Sequence, residues 1–175
     1  VEGIGAFPIR SLLKNALRMR PTRIIVGEVR GAEALDMLAA MNSGHDGSMC
    51  TIHANGPRQA LSKLRMYAMM AEEALPAEAV TEMIAEAIDL VVHLRLDPAG
   101  ARRVVTNVYE VTGLEGDTVA GSDLFSLSEG ALRWAGIRPR FAARLRGGAF
   151  PWDRLDDPPT PARAGLNGDR RGLER

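Results

Sequence analysis

Three residues carry most of the chemistry the sequence offers: Glu28, which ends the run RIIVGE, His45 in SGHDGS, and His53 in TIHAN. Ligands of open α/β sheets gather outside the carboxyl ends of the strands, so an acid placed there can reach a metal, a water or a phosphate. Glu28 follows Ile24, Ile25 and Val26, and His53 leaves the end of a second run from Ser48 to Ile52. Taken singly, each has a plainer reading. An acid before a helix is often a partner for that helix's positive N-terminus, a lone His45 reads as a helix-end residue, and a lone His53 is evenly balanced. His45, Asp46 and His53 also have the chemistry of metal ligands, which would make a metallohydrolase. Strand geometry opposes this: at roughly 3.3 Å per residue the run between the two histidines holds them about 15 Å or more apart.

Short elements must position these groups. The β-branched run Ile24–Val26 is too brief for a helix and predicts a strand buried on both faces of a parallel sheet. Residues 32–41 predict a helix, with Gly44 as its stop, and residues 48–52 a second strand. If the two strands are parallel, Glu28 and His53 emerge on one edge, with Thr51 and His53 on one face and Cys50 and Ile52 on the other.

The chain has 175 residues, 46% hydrophobic and 25% charged, enough for one core and a tail. Its apolar runs fall far below the roughly 18 residues of a membrane span, and VEGIGAFPIR has no signal-peptide pattern. Beginning at Val1 in what reads as a loop, the chain is expected to be a fragment or processed product. A single cysteine, Cys50, excludes an internal disulfide, fits a reducing compartment, and reads as core packing. The zero net charge hides segregation: residues 1–31 carry +4, 32–100 −6, 101–132 −3 and 133–175 +5. With no uniformly basic face and aromatics at 5%, nucleic acid is not an expected partner.

Elsewhere, Pro8 opens a helix with Ile9, Leu12, Leu13, Ala16 and Leu17 on one side and Arg10, Lys14 and Arg18 on the wet side, closed before Arg20-Pro21. Pro57 opens a helix to about Ala71 whose Leu61, Leu64, Met66, Ala68 and Met69 form an apolar surface. Pro76 starts another, with Val80, Met83, Ile84 and Ala87 on one face. Residues 88–94 predict a third buried strand. The alternation argues for a mainly parallel sheet with helices on both faces. Residues 103–111 and 118–127, joined by GLEGD, predict a hairpin added to the sheet edge. RPRFAARLRGG predicts a short basic helix with a solvated face, and residues 151–175 a disordered tail.

The segment ALRMRPTRIIVGEVRGAEALDMLAAMNSGHDGSMCTIHANGPRQAL resembles the Walker B and His-box region of the type II/type IV secretion ATPase superfamily. Its GHDGS-x-x-TIHAN form with RGAEALDM is most similar to the CpaF-type ATPases of Flp (tight-adherence) pilus assembly. AIDLVVHL, VVTNVYEVTGLEGDTV and RPRFAARL extend the likeness over roughly residues 9–145. The resemblance implies a RecA-like domain of a hexameric, ATP- and Mg2+-dependent motor. Such a motor would be cytoplasmic, peripheral to the inner face of the cell membrane, and would work on inner-membrane pilus or secretion platform proteins. By position it assigns Glu28 to water activation and His53 to the terminal phosphate. It gives His45 and Arg30 to coupling or the subunit interface, with Arg30 pairing with Glu28 or a neighbouring subunit. Gly27 stands where many P-loop enzymes place a metal-holding Asp, and Gly27 and Thr51 are expected beside the nucleotide. No residue is expected to hold a resident metal ion.

One departure limits this. No G-x-x-x-x-G-K-[ST] occurs, and that loop supplies the backbone cradle, lysine and hydroxyl for the phosphates. The expectation is an incomplete RecA-like α/β domain over residues 1–150, the C-terminal part of the ATPase domain, inactive in isolation. A non-catalytic subunit-contact module is the alternative reading.

Overall fold

Ile25–Val26 (β1) and Met49–Cys50 (β2) pair in parallel, Ile25 opposite Met49 and Val26 opposite Cys50. A computed structural model of the chain describes residue 5, residues 7–97 and residues 102–144. A parallel ladder this short cannot hold itself together. It is fixed by the helices whose apolar faces share its core. Ile9–Arg18 (α1) contributes Leu13, and Glu33–Met41 (α2), which joins β1 to β2, buries Ala34, Leu35, Met37, Leu38 and Ala40. Pro57–Ala68 (α3) adds Leu61, Leu64 and Ala68, and Ala77–Ala87 (α4) adds Val80 and Ile84.

Helix α2 is the hub, packed against α1, α3 and α4. The prolines act as expected: Pro57 sits in the first turn of α3, and Pro8 and Pro76 immediately precede α1 and α4. Gly44 has φ +87, a left-handed geometry that suits glycine, in the turn that follows α2. Arg10 departs from the amphipathic expectation. Instead of facing water alone, it bridges Asp36 of α2 and Glu73 beyond α3, clasping three segments.

The second half corrects the expected sheet. Leu90–Leu96 (β3), Arg103–Glu115 (β4), Thr118–Ser128 (β5) and Ala131–Trp134 (β6) form a separate antiparallel sheet in the order β3-β4-β5-β6. The third strand therefore does not extend the parallel pair, and most of its side chains are exposed. The hairpin β4–β5 is the middle of this sheet, not an addition to its edge. Its length explains the choice: long strands joined by a turn at Gly116 recover ladder hydrogen bonds that a two-residue strand cannot. Nor is β1 buried on both faces, because Ile25 is exposed while Val26 is buried.

Helix α4 covers one face of the antiparallel sheet, meeting β4 and β5, and Tyr109 and Val111 join the common core. Gly121 makes this packing fit, since a Cβ there would stand 2.5 Å from the Tyr109 ring. The expected basic helix reduces to a 3-10 turn at Arg140–Arg144. Its Arg140 N–H donates to Glu110 Oε1 at 2.7 Å, and its guanidinium to the Thr112 carbonyl. The boundary at residue 150 and the tail beyond it lie outside the described residues.

Candidate functional site

The parallel pairing continues past the ends of β1 and β2. Val29 N–H donates to the Thr51 carbonyl at 2.9 Å, and the Thr51 hydroxyl donates to the Gly27 carbonyl at 2.5 Å. This backbone zip brings two residues distant in sequence to one edge. Glu28 Oε1 stands 3.0 Å from His53 Nε2, and Glu28 Oε2 stands 2.5 Å from the Arg30 guanidinium. The Glu28 side chain is 23% exposed and that of His53 is 84% exposed, so the carboxylate is partly sheltered and the imidazole stands in solvent.

The electrostatics follow from this geometry. The hydrogen bond from Arg30 holds the Glu28 carboxyl below the usual glutamate range, against a smaller opposing effect of desolvation. The charges of Arg30, His53 and Lys63 act in the same downward direction. Reciprocally, Glu28 raises the pKa of Arg30. The loop carrying Arg30 is itself tied down, because Glu33 Oε1 accepts the backbone N–H groups of Arg30 at 2.7 Å and Gly31 at 3.1 Å. An acid in the first turn of α2 so satisfies donors at the entrance to that helix.

The edge lies between two concavities. One, of about 340 Å³, is lined by His53, Ala54, Asn55, Gln59 and Lys63. The other, of about 570 Å³, is an apolar groove between α1 and β1, lined by Leu12, Ala16 and Ile25 and ending at Glu28 and Arg30. Lys63 was missed by reasoning from sequence, yet its ammonium donates to the His53 carbonyl at 2.9 Å and fixes the backbone that presents the imidazole. Its signal was faint: a lysine on the second turn of a helix that starts just after TIHAN. Glu33 was missed as well, its one signal being an acid three residues beyond Arg30.

Gly27 and Thr51 sit within the zip. A Cβ on Gly27 would meet nothing within 4 Å, so no close packing inside the chain demands glycine there. His45 lies elsewhere. It precedes β2 at the amino edge, its Nδ1 is 3.1 Å from the Ala40 carbonyl and 3.1 Å from Ser43 Oγ, and its own carbonyl accepts the Ser48 hydroxyl at 2.7 Å. The structure thus brings Glu28, His53 and Arg30 together and leaves His45 at the end of α2. Among the described residues no group of three or more His, Cys, Asp or Glu is placed to hold a metal ion. No described helix is long and apolar enough to cross a membrane.

Comparison with known proteins bears on this arrangement. The family model described as Type II/IV secretion system protein matches residues 1–117. A putative conjugal transfer protein of Mycobacterium tuberculosis is 48% identical over 104 residues, which are 59% of this chain and 29% of that protein. The type IV secretion system protein PtlH of Bordetella pertussis is 41% identical over 113 residues, 63% of this chain and 33% of that protein. Among solved structures, the VirB11 ATPase of the Brucella suis type IV secretion system, crystallised with sulphate, superposes with a TM-score of 0.56 at 31% identity. That match covers 59% of this chain and 32% of the other. The aligned part of the chain thus spans about a third of the length of these proteins.

Proposed function

The chain belongs to the type II/IV secretion system protein family, and on that premise we propose that it carries the water-orienting edge of an ATP-hydrolysing site. In this reading Glu28 orients and activates the attacking water, and His53 faces the terminal phosphate. One observation carries it: Glu28 and His53 converge to 3.0 Å at the carboxyl edge of a parallel strand pair. Phosphoryl transfer depends on positioning and electrostatics more than on covalent chemistry, so a fixed carboxylate beside a phosphate-facing cation or donor is the useful contribution. Arg30 keeps Glu28 ionised and thus able to accept a proton or hydrogen bond from water. Both carboxylate oxygens are engaged, but Arg30 and His53 are exposed and can turn aside without unpacking the core.

The polar hollow beside Glu28, with His53, Asn55, Gln59 and Lys63, has the donors a phosphoryl group requires. Magnesium fits these residues poorly. It takes a near-octahedral set of oxygens from carboxylates, phosphates and water, whereas the oxygens of Glu28 face the Arg30 guanidinium and the His53 ring. Since the sequence contains no G-x-x-x-x-G-K-[ST], the phosphate cradle has to be supplied by residues other than these 175, and the chain alone is inactive.

The setting proposed is a homohexamer on the cytoplasmic side of an inner-membrane platform, driving Flp or type IV pilus assembly or type II/IV secretion. Relatives described as conjugal transfer and type IV secretion proteins support the secretion half. Hydrolysis by a protein that joins this chain to a phosphate loop should fall in the Glu28→Gln variant while ATP binding persists. A second reading, a non-catalytic subunit-contact module, is favoured by the apolar groove between α1 and β1. Nucleotide binding that is absent from the loop-bearing protein would select it.

A further inference from the structure

One stripe of α3 runs beside the Glu28–His53 edge. Gln59, Lys63 and Tyr67 recur every fourth residue along the helix and so share a face. Gln59 and Lys63 line the polar hollow together with His53 and Asn55. Tyr67, packed against the core, carries the lysine on its ring, with Nζ 5.6 Å from the ring centroid.

What holds Lys63 is unusual for a cation of this chain. Arg10, Lys14, Arg30, Arg102 and Arg133 each pair with a carboxylate. Lys63 pairs with none among the described residues and donates instead to the His53 carbonyl at 2.9 Å. Glu28 feels its charge, but the carboxylate oxygens are turned to Arg30 and His53. An ammonium has three N–H donors. One is engaged by the carbonyl, which leaves donors and an unneutralised charge at the wall of a concavity.

We infer that Lys63 is the anion-holding residue of this hollow, taking an oxygen of a phosphoryl group alongside the His53 imidazole and the side-chain amides of Asn55 and Gln59. A lysine already held by a carbonyl and an aromatic face loses little further rotamer freedom when the ligand arrives. The same ammonium touches the His53 backbone, so a bound phosphate and the placement of the imidazole are coupled through one atom. The inference rests on the reading of this edge as phosphate-facing and adds to it the residue that supplies the charge.

The test is a titration of the full chain with inorganic phosphate, sodium chloride being withdrawn to keep the ionic strength fixed. The sequence has only two lysines, Lys14 and Lys63, so carbon labelling at lysine Cε gives two resonances, assigned with Lys14→Arg. The Lys63 resonance and the His53 ring protons should move along one saturable curve while Lys14 stays in place. Lys63→Gln should weaken the His53 response about tenfold or more, and Lys63→Arg, which keeps the charge, should retain it within a few-fold. Equal movement of both lysines overturns the inference, as does the lack of a saturable response or a His53 curve unchanged in Lys63→Gln. Loss in Lys63→Arg as complete as in Lys63→Gln overturns it too, because the side chain would then matter for its shape. Glu28→Gln should preserve or tighten phosphate binding. Hydrolysis that depends on Glu28 in a loop-bearing protein, with no phosphate response here, would therefore remove the role of Lys63 and leave that of Glu28 standing.

Discussion

The His53 imidazole and the Glu28 carboxylate meet at 3.0 Å because Thr51 and Gly27, two residues before His53 and one before Glu28, are joined hydroxyl to carbonyl. The carboxylate–imidazole pair is set by this side-chain-to-backbone bond. Thr51→Val keeps the shape and removes the donor, so it should loosen the edge without emptying the core. In a loop-bearing protein, turnover should fall by several-fold with little change in melting temperature. An unaltered turnover number would show that the zip does not position Glu28.

Glu28→Gln retains size and hydrogen bonding but removes the charge. Hydrolysis in the loop-bearing protein should drop on the order of a hundredfold or more, with ATP affinity within a few-fold of the original. The isolated chain should release phosphate no faster than its own Glu28→Gln variant. Equal loss of binding and turnover in the longer protein would make Glu28 structural.

Arg30 governs the acid limb. Because it depresses the folded-state pKa of Glu28, the pair stabilises the fold above the unfolded glutamate pKa, and that stabilisation is lost as pH falls through the lower folded value. Arg30→Ala should return the Glu28 titration, followed by its carboxyl carbon resonance, upward toward the usual glutamate range. The stability difference between the two proteins should be present at neutral pH and vanish in acid. A titration midpoint that does not move would assign the depression to another group.

The two histidines should separate cleanly. His53 is exposed, so His53→Ala should leave the melting temperature nearly unchanged while lowering turnover. His45 closes the end of α2 through the Ala40 carbonyl, and His45→Ala should cost about 1 kcal/mol of stability. Thermal melts of both variants check the division, which a larger loss for His53→Ala would reverse.

Ile84 is fully buried at the meeting of α4 with the core, whereas Met66 on α3 is half exposed. Ile84→Ala should destabilise by about 2–5 kcal/mol, and Met66→Ala by no more than about 0.5 kcal/mol. Urea denaturation of the two variants measures both.

Local chemistry made much of this legible from sequence. Pro57 after Asn55-Gly56, the helical spacing of Leu61, Leu64 and Ala68, and the turn at Gly116 each depend on neighbours a few residues away, and each element formed within a few residues of its expected bounds. The edge that carries Glu28 and His53 was legible too, because a short strand, a helix and a second strand have one favoured parallel connection. Tertiary structure alone decided the rest. Whether residues 90–96 joined the parallel pair or β4 depended on which partner offered more ladder hydrogen bonds, a comparison between segments far apart in sequence. Arg10 reads as a solvated charge until folding delivers Asp36 and Glu73 to it. Lys63 acquires its place at the site only when α3 is laid beside His53.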